Sequence, residues 1–291
     1  MHRAGFITIL GNPNVGKSTL MNVLIGEDLS IITHKAQTTR HRILGVKSDK
    51  NYQMIFLDTP GVINPHHNLH ESMMKVVQKS LEDADLVLYM VDCNKDDLKD
   101  LNFLEKIQSS NIPIILLVNK IDLIEQDEVT ALIDYWQNKI SKAIVLPVSA
   151  LTKFNIDRIK NEILNLLPVS PAYFSKDTLT DKSERFIVSE IVREKILERY
   201  KQEIPYSVEV TVESFKDKGE VIVIDAIIYV ERESQKGIIL GKKGVAIKAV
   251  GTSARKTMQN FFKKKIFLGL FVKVAKDWRS RKSQLKKFGY S

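Results

Sequence analysis

The chain has 291 residues, more than a typical single domain, and this length predicts two domains. With 44% hydrophobic and 27% charged residues, its composition excludes a disordered or fibrous protein. The single cysteine, Cys93, excludes an internal disulfide and a cysteine-based metal knuckle. Because no apolar run reaches the ~18 residues that a membrane-spanning helix needs, we expect a soluble protein of the cytoplasm.

The formal net charge of +9 is concentrated in the second half of the chain. Residues 1–168 hold 18 basic and 20 acidic side chains, a balance of −2, whereas residues 169–291 hold 26 and 15, a balance of +11. From residue 237 to the end there are 15 basic residues and one acid, Asp277. A field of one sign on this scale predicts a polyanionic partner.

The first half alternates apolar runs with stretches of helical spacing. The runs predict buried strands at residues 6–10, 52–57, 86–91, 114–118 and 144–148. Helices are predicted between them at residues 18–25, 98–109, 128–140 and 156–167. This alternation predicts an α/β domain over residues 1–168, with a mostly parallel sheet covered on both faces.

The second half has a different pattern. Pro168, Pro171 and a polar segment predict a linker at residues 169–184. A helix (184–202), two strands (206–213 and 221–231), two helices (the second at 245–264) and a strand (267–275) follow. They predict a smaller α+β domain at residues 185–276, and residues 277–291 are predicted to be a basic tail.

A phosphate-binding loop follows the first predicted strand and precedes the first predicted helix. The sequence GNPNVGKS, from Gly11 to Ser18, matches the pattern G-x-x-x-x-G-K-[ST]. Its backbone N–H groups and the helix dipole favour phosphate, while Lys17 is expected to reach the β- and γ-phosphates and Ser18 to bind Mg²⁺. The nucleotide-binding candidates in this segment are Gly11, Asn12, Pro13, Asn14, Val15, Gly16, Lys17, Ser18 and Thr19.

A second motif, Asp58-Thr59-Pro60-Gly61, follows the strand predicted at residues 52–57. An aspartate at this place can hold Mg²⁺ through water, and the Gly61 N–H can sense a γ-phosphate. The motif is weak alone, but its position after a strand and a phosphate loop makes it specific.

A third motif, Asn119-Lys120-Ile-Asp122, lies at the end of the strand predicted at residues 114–118 and indicates which nucleotide base is bound. Guanine presents two adjacent donors, N1–H and the exocyclic amine, which one carboxylate can accept, whereas adenine lacks both on that edge. Asp122 therefore favours GTP over ATP. Ser149, Ala150 and Leu151 follow the last strand and are expected to close over the base.

Together these four motifs resemble those of the Ras-like superfamily of GTPases, across residues 5–168. The resemblance implies GTP hydrolysis, and it places the first switch at residues 37–40, where a threonine binds Mg²⁺ when the γ-phosphate is present. We prefer Thr39 as this ligand because it directly precedes Arg40, as in the bacterial assembly GTPases. Thr38 is the alternative.

One departure from Ras concerns hydrolysis. Ras has a water-orienting glutamine after the D-x-x-G glycine, whereas this chain has Val62, which cannot hydrogen-bond water. Asn14 lies where some GTPases with this replacement hold K⁺, and we hypothesise that K⁺ supplies the missing charge stabilisation. Asn14 as a turn residue only is the alternative. The resulting catalytic candidates are Asn14, Lys17, Thr39 and Gly61.

The C-terminal domain contains a G-x-x-G loop, Gly241-Lys242-Lys243-Gly244, between two predicted helices. In its helix-strand-strand-helix-helix-strand setting the loop resembles that of a type II KH domain, which implies that lysines offset RNA phosphates and an apolar groove receives bases. A solvated basic hairpin is the alternative. The RNA-binding candidates are Ile239, Gly241, Lys242, Lys243, Gly244 and Lys248.

A GTPase domain followed by a type II KH domain is the layout of the Era family of bacterial GTPases, and the stretches 35–42 and 272–279 add to the resemblance. The resemblance implies binding of GTP or GDP, with Mg²⁺ and possible K⁺ as cofactors. It also implies a monomer that binds small-subunit ribosomal RNA near its 3′ end during assembly of the small ribosomal subunit.

Other interpretations stay open. One is a GTP-binding RNA scaffold with negligible hydrolysis, and another is a DNA-binding regulator; Asp122 disfavours a kinase or an ATPase.

His67 and His70, with His66 nearby, could share a metal ion. Basic residues at 263–265 and 286–287 could contact anionic lipid in a weak peripheral association with the inner membrane, although RNA contact is the simpler interpretation.

Overall fold

The computed structural model describes residues 1–35, 37–93 and 101–290. The chain divides into two compact units. The first consists of Met1–His66 and His70–Asp181, and the second of His67–Leu69 and Lys182–Ser291.

The first unit is built on a six-stranded sheet in its described residues, with strand order β2-β3-β1-β4-β5-β6. Strand β2 is antiparallel to β3 and the other neighbours are parallel. The strands are β1 (Arg3–Leu10), β2 (Ile43–Ser48), β3 (Tyr52–Asp58), β4 (Leu86–Asp92), β5 (Ile114–Asn119) and β6 (Ile144–Pro147). This sheet confirms the predicted α/β fold, in which the carboxyl ends of the parallel strands meet at one edge.

Five helices accompany these strands in the described part of the chain. They are α1 (Lys17–Ile25), α2 (Asn68–Glu82), α3 (Leu101–Ser109), α4 (Gln126–Lys139) and α5 (Ile156–Leu166). The start of the helix predicted at 98–109 falls on residues outside the described ones. The sequence prediction omitted β2 and α2, although Leu69, Met73, Val77 and Leu81 of α2 are buried at helical spacing.

The segment predicted as a linker is held along β2 and β3. The Val46 N–H donates to Leu179 O over 2.8 Å, and the N–H groups of Tyr173 and Phe174 donate to Gln53 Oε1. Thr180 Oγ1 donates to Leu44 O. Residues 173–180 are therefore attached to the first unit by both backbone and side-chain hydrogen bonds.

The second unit packs helices against one face of a three-stranded sheet of order β7-β8-β9. Strands β7 and β8 are antiparallel, and β8 and β9 are parallel. Its elements are α6 (Glu184–Arg199), β7 (Glu209–Asp217), β8 (Val221–Val230), α7 (Glu233–Leu240), α8 (Val245–Phe262), β9 (Lys265–Val274) and α9 (Lys282–Lys287). From α6 to β9 the order of helices and strands is the one that the sequence predicts, whereas α9 lies in the predicted tail.

Residues of the predicted basic tail fold onto the second unit. The Trp278 side chain is fully buried, and its Nε1 donates to Ser207 O over 2.9 Å. Tyr290 is also buried and donates its hydroxyl to Glu209 Oε2 over 2.7 Å. Trp278 is thus a packing residue. Among the described residues, no helix combines the length and apolar character that crossing a membrane requires.

Candidate nucleotide site and nucleic-acid loop

A cleft of about 680 Å³ lies at the carboxyl edge of the first sheet. Its lining includes twelve of the residues that the motifs predict: Pro13, Asn14, Gly16, Lys17, Ser18, Thr19, Thr39, Gly61, Asn119, Lys120, Asp122 and Ala150. The other predicted residues are buried and do not line the cleft: Gly11, Asn12, Val15, Asp58, Thr59, Pro60 and Ser149. The structure therefore brings all four motifs to one place.

The phosphate loop is tied to the base-recognition motif through Gly16 and Asn119. Gly16 has a φ of +104°, and a Cβ there would lie 2.3 Å from Asn119 Nδ2. The Asn119 amide donates to Val15 O over 2.7 Å, and its Oδ1 accepts from the Ala150 N–H at 3.0 Å. Asn119 thus links Val15 of the phosphate loop to Ala150, in the segment that is expected to close over the base.

Replacing Gly16 by alanine tests this junction. Gly16→Ala introduces a Cβ into the Asn119 amide, and we expect GDP affinity to fall at least about tenfold in fluorescence titrations because the loop must shift. Gly219→Ala is the matched control, since Gly219 has a φ of +84° but no atom within 4 Å of its Cβ position. The control is expected to cost about 1–2 kcal/mol of stability and to leave GDP affinity unchanged. Equal affinity in both variants would refute the role of the junction.

Lys17 is buried beneath the phosphate loop. Its Nζ donates to Gly11 O over 3.1 Å and to Asn12 O over 2.8 Å. Burial lowers the pKa of Lys17 to about 8, an effect that the Asp58 carboxylate partly opposes. An anionic phosphate at the loop would favour the charged ammonium, which is the form that phosphate binding requires.

Three oxygen-bearing side chains meet beside Lys17. Ser18 Oγ donates to Asp58 Oδ2 over 2.7 Å and lies 2.9 Å from Thr39 Oγ1, which in turn donates to Asp58 Oδ2 over 3.3 Å. Burial raises the pKa of Asp58, and its Oδ1 is a buried atom with no hydrogen-bond partner in the described chain. A hard oxygen-donor set with an unsatisfied carboxylate oxygen fits Mg²⁺.

The two candidate threonines of the first switch have different surroundings. Thr38 Oγ1 donates to Lys35 O over 2.6 Å and lies 2.8 Å from Thr33 Oγ1, within its own segment. Thr39 instead joins the Ser18 and Asp58 cluster. This placement supports Thr39 as the metal ligand.

The residues around Gly61 are positioned by backbone contacts. Thr59 is fully buried and donates its hydroxyl to Ile9 O, and the Val62 N–H donates to Gly11 O over 3.1 Å. The Val62 side chain is fully buried. Asn14, with a φ of +65°, donates its Nδ2 to His34 O over 3.2 Å. The phosphate loop thus contacts both the D-x-x-G segment and the segment that carries the threonines.

Asp122 is an exposed carboxylate at the other end of the cleft. Neighbouring Lys120 has a φ of +65° and pairs with Asp92 Oδ2 at 3.2 Å. Ser149 is buried, and its Oγ accepts from the Thr152 N–H. The carboxylate of Asp122 is the group in this region that can accept a pair of donors from a base.

Several cleft residues escaped the sequence prediction. The additional lining residues are Ile31, Ile32, Thr33, His34, Gln37, Thr38, Leu123 and Leu151. Gln37 and Thr38 belong to the predicted switch, and Leu151 belongs to the segment expected to close over the base. The others lie outside the motifs, and nearness to a motif was the only available signal, as for Leu123, which follows Asp122. The His70 side chain is buried, and no metal-binding group of three His, Cys, Asp or Glu side chains occurs among residues 1–35, 37–93 and 101–290.

The G-x-x-G loop of the second unit has the backbone that its glycines permit. Gly241 has a φ of +70°, and a Cβ there would lie 2.6 Å from Ala246 Cβ. The side chains of Lys242, Lys243 and Lys248 are exposed beside it. Gly244 has a φ of +76° and is the N-cap residue of α8. The loop therefore presents its lysines and backbone to solvent.

Ile239 requires a correction. Its side chain is fully buried in the core, and its carbonyl accepts from the Tyr200 hydroxyl over 2.6 Å. The adjacent Ile238 is 51% exposed. Because α7 turns its two neighbouring isoleucines in different directions, Ile238 is the one available for contact with a ligand.

Comparison with known proteins identifies both units. A family model described as a 50S ribosome-binding GTPase matches residues 6–120, and a KH domain model matches residues 203–279. The GTPase Era of Syntrophus aciditrophicus (strain SB) is 46% identical over 294 residues, which cover 100% of this chain and 96% of that protein. The chain belongs to the Era family of GTPases.

Other similar members of the Era family are a chloroplast protein and two proteins of known structure. The chloroplastic GTPase ERA1 of Zea mays is 45% identical over 99% of this chain and 71% of its own length. The crystal structure of Era in complex with MgGDPNP and nucleotides 1506–1542 of 16S ribosomal RNA matches with a TM-score of 0.96 and 39% identity over 100% of both chains. A variant of Aquifex aeolicus Era bound to GDP and AlF₄⁻ also has a TM-score of 0.96, with 39% identity over 99% of both chains. This Era family member is a GTPase with a KH domain, as its sequence predicts.

Proposed function

We propose that this Era family GTPase binds and hydrolyses GTP with Mg²⁺ in the cleft and binds small-subunit ribosomal RNA near its 3′ end through the loop 241–244. Such a protein acts in assembly of the small ribosomal subunit. The observation that carries the proposal is the cluster of Ser18, Thr39 and Asp58 beside Lys17, in a cleft whose other end holds Asp122. The solved Era complex with MgGDPNP and 16S RNA supports it.

The residues of the cleft have different roles in phosphoryl transfer. Lys17 and the loop N–H groups hold the β- and γ-phosphates, and Asp122 accepts the guanine donors. Ser18, Thr39 and Asp58 would hold Mg²⁺, which neutralises phosphate charge. Because Thr39 belongs to a segment separate from the phosphate loop, its position reports the presence of the γ-phosphate.

Hydrolysis in this chain lacks a side chain that orients water after Gly61, because Val62 is apolar and buried. We therefore propose K⁺ as a further cofactor held by Asn14, whose Nδ2 donates to His34 O and whose Oδ1 is a suitable cation ligand. In this proposal, bound K⁺ makes the protein an active GTPase; without such an ion it would be an RNA scaffold with negligible hydrolysis.

The K⁺ proposal predicts that Asn14→Ala removes the difference between potassium and sodium buffers. We expect wild-type GTP turnover to be about tenfold or more faster in K⁺, and the variant to turn over slowly in both. Phosphate release measures the rate, and GDP affinity serves as the control for an intact loop. An unchanged K⁺ response in Asn14→Ala would leave Asn14 as a turn residue only.

RNA binding by the loop predicts a loss of affinity on removal of its charges. Lys242→Ser/Lys243→Ser is expected to weaken binding of the 16S 3′-end RNA at least tenfold and to reduce the salt slope by about 1.4, because two phosphate contacts are lost. Lys75→Ser/Lys79→Ser removes the same number of charges from α2 of the first unit, where both lysines are exposed, and is the control. Equal losses in both variants would show unspecific attraction, and equal affinity for single-stranded DNA of the same sequence would favour a DNA-binding regulator.

The place of action follows from the RNA partner. We propose that the protein works as a monomer in the cytoplasm, with a weak peripheral contact to the inner membrane through the basic residues at 263–265 and 286–287. Cosedimentation of the Lys286→Ser/Lys287→Ser variant with anionic vesicles tests the membrane contact.

A further inference from the structure

One face of the sheet of the second unit packs against α6, α7 and α8, and part of the opposite face is exposed. Along β9 the alternate residues from Ile266 to Val274 pack on the core, whereas Phe267 and Phe271 are 64% and 53% exposed. Residues two apart on a strand share a face. We call the following residues of β9 the aromatic strand face: Lys265, Phe267, Gly269, Phe271 and Lys273.

The folded C-terminal segment covers only the neighbouring part of this side of the sheet. The Phe288 ring lies 5.0 Å from that of Tyr229, which pairs with Lys273 in the sheet register. Ile227, the partner of Phe271 on β8, is buried. The protein thus covers apolar side chains at one end of this side and leaves two phenylalanine rings exposed beside them.

The exposed rings have polar groups between and around them. Asp225 pairs with Gly269, and a Cβ at Gly269 would lie 2.4 Å from Asp225 Oδ1. The carboxylate therefore fills the space that a side chain between the two rings would take. Lys265 and Lys273 are exposed at the ends of the face, and Lys216 of β7 is exposed on the same side.

We propose that the aromatic strand face is a second RNA-contact surface, on which Phe267 and Phe271 stack two bases of a single-stranded segment. The rings are four residues apart, about 13 Å along the strand, which suits two different bases. Every base has a face that can stack on an aromatic ring, and the lysines supply charge for the phosphates. Asp225 accepts hydrogen bonds from base N–H groups.

The charge distribution favours RNA over a protein occupant. A second copy of this chain would bring lysines at the ends of the face against like charges, which is unfavourable. The proposal extends the RNA-binding function inferred above, but it depends on a surface separate from the loop 241–244.

Photo-crosslinking of the full chain to a 30-nucleotide random RNA containing 4-thiouridine tests contact directly. Trypsin cuts after Lys265 and Lys273, so both rings fall in one peptide, residues 266–273. We expect nucleotide adducts on this peptide as well as around the loop 241–244. Adducts confined to other peptides would overturn the proposal.

Affinity measurements separate base stacking from simple hydrophobic contact. In the Lys242→Ser/Lys243→Ser background, Phe267→Leu/Phe271→Leu keeps apolar side chains but removes the rings, and we expect affinity for the same RNA to fall at least about tenfold. Phe154→Leu is the control, because Phe154 is 54% exposed in the first unit. An unchanged RNA affinity of Phe267→Leu/Phe271→Leu contradicts the proposal. So does a result in which these substitutions abolish dimerisation in analytical sedimentation but leave RNA affinity unaltered. Failure of the loop variant alone to weaken 16S RNA binding counts instead against the proposed function.

Discussion

Asp122→Asn is expected to shift the preference of this GTPase from guanosine to xanthosine nucleotides. An asparagine amide offers one donor and one acceptor, which match the N1–H and the 2-oxo group of xanthine but not the two donors of guanine. Loss of a charge-assisted pair of hydrogen bonds costs about 3 kcal/mol or more, so GDP affinity is expected to fall at least about 100-fold while XDP affinity rises.

Competition against a fluorescent guanine nucleotide measures both affinities. Asp127→Asn makes the same exchange five residues further on, at an exposed position in the first turn of α4 that does not line the cleft. This control should keep the wild-type preference. A retained preference for GDP in Asp122→Asn would contradict the assigned base contact.

Glu190→Ala is expected to produce the largest loss of stability in the second unit. Arg193 and Glu190 form an ion pair of 2.5 Å on α6, with side chains 1% and 7% exposed. Burial lowers the pKa of the Arg193 guanidinium, but the Glu190 carboxylate outweighs burial and raises the pKa above its ordinary value. Removing this carboxylate leaves a buried cation without its main partner, which costs about 3–5 kcal/mol.

The two tryptophans provide a clean measurement of this effect, because Trp136 lies in the first unit and Trp278 in the second. In a Trp136→Phe background, Trp278 fluorescence during urea denaturation reports the second unit alone. Glu198→Ala on the same helix breaks the ion pair with Lys195, in which Glu198 is 49% exposed, and should cost only about 0–1 kcal/mol. Similar losses of unfolding free energy in both variants would show that burial does not make the Arg193–Glu190 pair more important for stability than an exposed pair.

The sequence could predict that the nucleotide-binding motifs come together, because these motifs follow strands. Lys17, Asp58, Asn119 and Asp122 are far apart in sequence, but they lie at or just beyond the ends of strands that share one edge of a parallel sheet. Their convergence is therefore a consequence of topology. The Thr39 placement beside Asp58 needed the structure, since Thr38 has the same chemistry one residue away.

Packing decided the features that the sequence left open. Ile238 and Ile239 are identical neighbours, and only the contact of α7 with the core buries the second. The basic composition of residues 277–291 predicted a tail, yet Trp278 and Tyr290 attach this segment to Ser207 and to Glu209 at the start of β7. Such outcomes depend on long-range contacts, which neither charge nor local spacing reveals.

Multiple-turnover hydrolysis of GTP in potassium buffer, with and without the 16S 3′-end RNA, tests the central claim most directly. We predict phosphate release from GTP in at least one of these conditions, none from ATP, and loss of the activity in Lys17→Ala. Turnover no faster than that of Lys17→Ala, with RNA and without it, would contradict a GTPase and leave a GTP-binding RNA scaffold.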